Sequence, residues 1–148
     1  MPIKTLGQQA MNRRQAIGWS VCAWVALGLF WFFTTRNFHP TTALAVIVTS
    51  SLVAAYALAA YVNHLVLIPA YGRQGRWAMY IASLLATMTA LTALALLVIR
   101  YSYFHLWGPD ADPNGAYKHF VIDWLGMAVH LLAAAAVVGL VRRGLSPK

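Results

Sequence analysis

Four side chains that could bind a ligand or carry a charge recur along one apolar stretch late in the chain. They are His119, Asp123, Met127 and His130. Spacings of four, four and three residues place them on one face of a helix. Imidazole, carboxylate and thioether groups can bind protons, metals or polar ligands, so this stripe is a candidate ligand or sensing site. Because a helix rises about 1.5 Å per residue, Asp123 and His130 lie about 10 Å apart and cannot chelate one metal from this helix alone.

The sequence leaves three uses of this stripe open. Asp123 can pair with a neighbouring cation and hold the helix ends together, which is a structural role. The candidate partners are Lys118, Arg100 and His119. The stripe can instead line a sensing or ligand pocket open to the outer surface. In the third use, histidines ligate haem or a metal, although no motif fixes their geometry. The candidate ligands are His64, His119 and His130.

Two further sets of residues need a similar interpretation. Thr49, Tyr56 and Asn63 recur every seven residues, with His64 beside the last of them. Polar seams of this kind usually join helices, so we interpret this one as a packing seam.

A weaker candidate is a metal site in the predicted outer loops, because imidazole and carboxylate groups bind divalent transition metals. Its candidate ligands are His39, His105, Asp110 and Asp112.

The elements that must position these residues are four long apolar stretches. The chain has 148 residues, of which 61% are hydrophobic and 9% are charged. A soluble domain usually carries about 25% charged residues, so a bilayer is the expected environment. Each stretch is long enough to cross about 30 Å of hydrocarbon. We predict one all-α domain over residues 1–148, a four-helix antiparallel transmembrane bundle. The predicted helices cover about 16–35, 42–68, 77–103 and 119–141.

The distribution of positive charge predicts the orientation of this bundle. Residues 1–15, 70–76 and 142–148 carry eight lysines and arginines, whereas 34–42 and 100–118 carry three. Positive residues are retained in the cytoplasm, so both termini are expected there. The net charge of +8 therefore follows from membrane topology, and no nucleic acid partner is expected.

Catalytic motifs are missing from the sequence. It has no glycine-rich phosphate loop, no zinc-protease helix motif, no glutamate and a single cysteine, Cys22. We therefore expect no enzymatic activity and predict no cofactor, with haem, pigment or metal binding kept as the less favoured alternative.

The segment from Tyr61 to Pro69 reads Tyr-Val-Asn-His-Leu-Val-Leu-Ile-Pro. It resembles the Tyr-x-Asn-x-x-x-Leu-Ile-Pro stretch in the four-helix membrane domains of bacterial sensor histidine kinases of the LytS/AlgZ-like group. A basic loop and an aromatic-led third helix with Trp77 and Tyr80 follow, as in that group. The resemblance covers about residues 15–143 and implies a sensor-like membrane module without the kinase module. Ala70 departs from the pattern, since a basic residue is more usual there.

Together these observations predict a non-catalytic sensor-like or regulatory module that acts by contact with another membrane protein. Its expected surroundings are lipid, a second integral membrane protein or another copy of itself, in the bacterial inner membrane. One alternative is an accessory structural subunit of a larger electron-transfer or photosynthetic membrane complex. The other is a small haem- or metal-binding membrane protein.

Overall fold

A computed structural model of the protein describes the backbone of residues 6–108 and 116–144 and the side chains of 18–108 and 119–136. The described chain is helical apart from short turns. Its helices are α1 (Leu6–Thr35), a 3-10 turn (Arg36–Phe38), α2 (Thr42–Val62) with a π-helical continuation (Asn63–Gly72), α3 (Trp77–Leu106) and α4 (Ala116–Gly144). Four helices are long and apolar enough to cross a membrane, which indicates a multi-pass membrane protein.

The second helix runs four residues beyond its expected end at Ile68. Pro69 lacks a backbone N–H and would clash with a carbonyl one turn earlier in an α-helix. Here the chain widens into a π-helix from Asn63 to Gly72, and the Arg73 amide donates to the Ile68 carbonyl five residues back at 2.9 Å. The wider turn accommodates the proline, so the helix continues instead of stopping.

The helix α2 occupies the centre of the bundle. It contacts α1, α3 and α4, and α3 also contacts α4. Small side chains let these backbones approach closely, which is how helices associate in lipid. The core between α2, α3 and α4 is formed by Ala55, Tyr56, Ala59, Met88, Ala95, Met127 and Leu131.

The helix α1 is peripheral. Within the described residues its backbone approaches α2 but neither α3 nor α4. Its span from Gly18 to Phe38 contains no fully buried side chain. At Gly28 an added Cβ would lie 4.0 Å from the Val53 side chain of α2. We call the end of the bundle with residues 36–41 the connector end, and the end with residues 73–76 the terminal end.

Tyr56 of α2 packs closely against Gly126 of α4. A Cβ added at Gly126 would lie 3.0 Å from the Tyr56 hydroxyl oxygen. The tyrosine ring is buried and stacks on the His130 ring, with centroids 4.7 Å apart and planes at 29°. The ring therefore has little freedom to move away from a larger residue at position 126.

We expect Gly126→Ala to destabilise the bundle in spite of the better helix propensity of alanine. Overpacking costs about 1–3 kcal/mol, whereas replacing a helical glycine contributes only about 1 kcal/mol. The measurement is the thermal unfolding midpoint of the detergent-purified protein. In a Tyr56→Phe background, which lacks the clashing hydroxyl, the same substitution should be neutral or stabilising. An equal loss in both backgrounds would contradict the contact.

Candidate functional site

His130 is the meeting point of three helices in the half of the bundle near the connector end. Its Nδ1 lies 2.7 Å from the Gly126 carbonyl oxygen, so we assign the proton to Nδ1, which donates to that oxygen. Nε2 then accepts from the Trp31 indole N–H of α1 at 3.4 Å. Both ring nitrogens are thus engaged in hydrogen bonds.

Tyr56 completes this arrangement from α2. Its ring stacks on His130, and its hydroxyl donates to the backbone carbonyl of Asp123 at 3.4 Å. The side chains of Trp31, Tyr56 and His130 therefore contact one another across α1, α2 and α4, and we call these three residues the outer cluster. A change in the orientation of His130 would alter its contacts with both α1 and α2.

The stripe predicted on α4 divides into parts with different environments. His119 is exposed, and Asp123 and His130 are half-buried. Met127 has no exposed surface and packs in the core with Tyr56 and Leu131. Its thioether therefore fills space between helices, while His119 and Asp123 form the part of the stripe nearest the connector end.

The seam predicted on α2 faces its neighbours at two levels. Tyr56 contacts α4, and the Asn63 side-chain oxygen accepts from the Tyr80 hydroxyl of α3 at 2.9 Å. Both contacts join helices, as a packing seam requires. Thr49 is also buried, with 7% of its surface exposed, whereas His64 is exposed beside Asn63.

The loop residues predicted as weak metal ligands are not brought together in the described part of the chain. His39 Nδ1 lies 2.6 Å from the Tyr103 hydroxyl, and the His105 ring packs against Tyr101 at 4.2 Å. Asp110, Asp112 and the Lys118 side chain lie outside the described residues. Among those described, no group of three histidines, cysteines or acids could hold a metal ion.

Trp31 and Tyr103 are functional candidates that sequence reasoning missed. Both lie in aromatic-rich stretches where an aromatic side chain needs no special explanation. The sequence feature that could have indicated them is the polar atom of each side chain, because a buried indole N–H or phenol O–H usually has a hydrogen-bond partner. Their partners, His130 and His39, are distant in sequence and became visible only in the folded chain.

Comparisons with protein-family models, with curated proteins and with solved structures found no match for this chain. The resemblance to the membrane domains of sensor histidine kinases therefore stays a prediction.

Trp31→Phe should loosen α1, because it removes one of the few polar contacts between this helix and the others. The native Cys22 is exposed on α1 and can carry a spin label without further engineering. We expect greater label mobility in Trp31→Phe than in the parent. Trp19→Phe is the matched control, since Trp19 lies on the same helix with 77% of its surface exposed. Equal mobility in both variants would refute the tether.

His39 should make the connector end sensitive to acid. Burial lowers the pKa of His39 below its ordinary value of 6.5, because the charged imidazolium is poorly solvated there. The folded state therefore binds this proton less readily than the unfolded state does. Stability is full above pH 6.5 and falls as the pH drops through the lowered pKa.

The measurement is the unfolding midpoint of the parent and of His39→Asn between neutral pH and about pH 5, a range in which histidines titrate. The asparagine oxygen keeps an acceptor for the Tyr103 hydroxyl but does not titrate. We expect a smaller acid-induced decrease in the variant. Parallel curves would show that other groups determine the response.

Proposed function

We propose that this chain is a non-catalytic, sensor-like regulatory module that acts by contact with another membrane protein. The observation that supports it is the outer cluster, in which His130 contacts both Trp31 of the peripheral α1 and Tyr56 of the central α2. The proposed input is the connector end, facing the periplasm, and the proposed membrane is a bacterial inner membrane. The positively charged loop and tails support this orientation, because such segments stay in the cytoplasm.

The proposed moving element is α1. It packs on α2 alone and makes two side-chain hydrogen bonds to other transmembrane helices in the described chain. They are Trp31 to His130, and Ser20 to the Tyr61 hydroxyl at 2.6 Å. A stimulus shifts an equilibrium between two positions of α1 only by binding one of them more tightly than the other. A ligand that binds at Asp123 and favours one arrangement of the contact between Trp31 and His130 meets this condition.

The proposed output is the terminal end. There the π-helical segment from Asn63 to Gly72 leads into a loop in which Arg73 and Arg76 are exposed. Single-turn π-bulges within helices are frequent at functional sites, since the wider turn is less stable than an α-helix. Exposed arginines suit contact with an acidic surface of a partner protein. Movement of α1 reaches this segment through the bond between Ser20 and Tyr61.

One observation favours the accessory-subunit alternative. An open, mostly apolar groove of about 230 Å³ runs between α2 and α3, and Ser51 is its polar residue. The other lining residues are Ala54, Ala55, Leu58, Leu91, Leu94, Ala95 and Val98. Small residues of this kind allow a helix of a neighbouring subunit to approach closely. In this alternative the groove is the docking surface and the outer cluster is structural.

The haem or metal alternative has less support. Ligation by His130 would have to break a hydrogen bond that one of its nitrogens now makes. His64 is exposed, so a haem bound there would lie at the surface of the bundle.

The experiment that separates these functions is a mild-detergent purification from the native membrane, with an absorption spectrum and mass spectrometry of the co-eluting proteins. The sensor-like proposal expects a colourless preparation, either with a signalling partner or as copies of itself. Pigment- or haem-bearing partners in fixed ratio would instead establish an accessory subunit. A Soret band lost on His130→Ala or His64→Ala would establish haem binding.

Asp123→Asn tests the proposed input directly. If the stripe is part of a sensor, this substitution should change partner recovery while leaving the unfolding midpoint nearly unchanged. Ser50→Ala is the control, because Ser50 is exposed on α2 and its hydroxyl bonds only to its own helix, at the Ile47 carbonyl. A lower midpoint with full partner recovery would make Asp123 a structural residue.

A further inference from the structure

Two exposed arginines lie in the loop that joins the π-helical segment to α3 at the terminal end. Two residues separate Arg73 from Arg76, and both side chains are exposed. Residues 1–15, 70–76 and 142–148 together carry eight lysines and arginines and no aspartate or glutamate. Most of the negative charge that balances these residues must therefore come from outside the chain.

The backbone of this loop is fixed on both sides. The Arg73 amide donates to the Ile68 carbonyl at 2.9 Å, and the Arg76 amide donates to the Tyr71 carbonyl at 3.0 Å. Gly75 makes the turn with a φ of 71°, a value that residues with a Cβ rarely adopt. A loop this short cannot extend far beyond the ends of the two helices, so the arginines stay close to the bilayer surface.

The aromatic side chains beside the loop are typical of the depth at which lipid headgroups lie. Trp77 begins α3 with 61% of its surface exposed, and Tyr71 is half-buried at the end of the π-helical segment. Tryptophan and tyrosine are enriched at the interface between membrane and water. The guanidinium carbon of Arg76 lies 5.6 Å from the centre of the Tyr71 ring, a contact that holds the positive charge beside this interface.

We propose that Arg73 and Arg76 bind the phosphate group of an anionic lipid, with phosphatidylglycerol as the probe. Arginine suits a phosphate because its planar guanidinium can donate two parallel hydrogen bonds to it. Basic residues directly beside the end of a membrane helix are typical of anionic lipid binding. The short loop and its interfacial aromatic residues favour a lipid headgroup over the acidic surface of a protein.

This inference goes beyond the proposed function and does not rest on it, since lipid binding needs no partner protein. A partner with an acidic surface would compete with the lipid for the same two arginines. The anionic lipid content of the membrane would then influence how readily such a partner binds.

The test is the unfolding midpoint of the full chain in a neutral detergent during titration with phosphatidylglycerol. Phosphatidylcholine with the same acyl chains is the reference, because its headgroup has no net charge. The midpoint should rise with phosphatidylglycerol and then saturate, as binding to the folded state requires. The double substitution Arg73→Gln and Arg76→Gln should weaken the apparent affinity about tenfold, since each basic residue near the surface contributes to binding.

The matched control is the double substitution Arg36→Gln and Arg100→Gln. Both of these arginines are exposed and lie toward the connector end, and Arg36 also packs on an aromatic ring, with its guanidinium carbon 5.5 Å from the centre of Phe33. The control lowers the net charge by the same amount and should keep the response of the parent. If both double variants lose the response equally, net charge alone determines it and the inference is wrong.

Single substitutions keep the test sharp if the first double variant fails to fold. Arg73→Gln and Arg76→Gln should each give part of the loss in affinity, whereas Arg73→Lys keeps the charge and should lose less than Arg73→Gln. Single glutamine variants that bind phosphatidylglycerol as tightly as the parent would overturn the site.

Two further reference titrations identify the source of the anion. Inorganic phosphate that raises the midpoint as strongly as phosphatidylglycerol would overturn the lipid assignment in favour of a soluble anion. Equal responses to phosphatidylglycerol and phosphatidylcholine would overturn it as well, because the headgroup charge would then have no effect.

Partner recovery in the same preparations separates this inference from the proposed function. A response to phosphatidylglycerol that depends on Arg73 and Arg76, in a chain that never recovers a partner, supports the lipid site and removes the sensor role. Partner recovery that depends on the two arginines without a response to phosphatidylglycerol overturns the lipid site and keeps the sensor role.

Discussion

An aromatic ring between two parallel membrane helices needs a slot beside it and an acceptor for its hydroxyl. Tyr56 obtains both from α4, since Gly126 leaves room for the ring and the Asp123 carbonyl accepts a hydrogen bond from the hydroxyl. This contact sets the separation and register of α2 and α4. The position of His130, and through it the attachment of α1, follows from the same contact.

The cost of polar groups in hydrocarbon explains why the remaining polar contacts are distributed as they are. Asn63 and Tyr80 satisfy each other near the terminal end, and His39 and Tyr103 do so at the connector end. Thr49 and Thr92 are the buried hydroxyls without a described partner. Thr49 belongs to the same seam on α2 as Tyr56 and Asn63.

The bundle is asymmetric in a way that suits regulation. Three helices share a core, whereas α1 lies against α2 and depends on side chains for its other attachments. The helix α1 therefore makes fewer contacts with the rest of the bundle than the other helices make with one another. Elements of low local stability are those from which moving parts are drawn. A uniformly packed bundle would offer no comparable element to a weak stimulus.

The amino-acid sequence by itself indicated four helices of spanning length, because long apolar stretches become helices in a bilayer. It also identified the stripe with Asp123 and His130, and the seam with Tyr56 and Asn63, from spacing alone. The continuation of α2 through Pro69 was not predictable, since a proline in an α-helical pattern ordinarily ends or kinks it.

The pairing of these residues was decided only by the tertiary structure. Trp31 bonds to His130, Tyr56 packs on Gly126, and Met127 lies in the core. These contacts follow from the rotation and register of the helices, which depend on contacts between distant segments. Periodicity shows which residues share a face of one helix. Periodicity does not show which other helix packs against that face. The chemistry of a site between helices depends on which residues the two packed faces bring together.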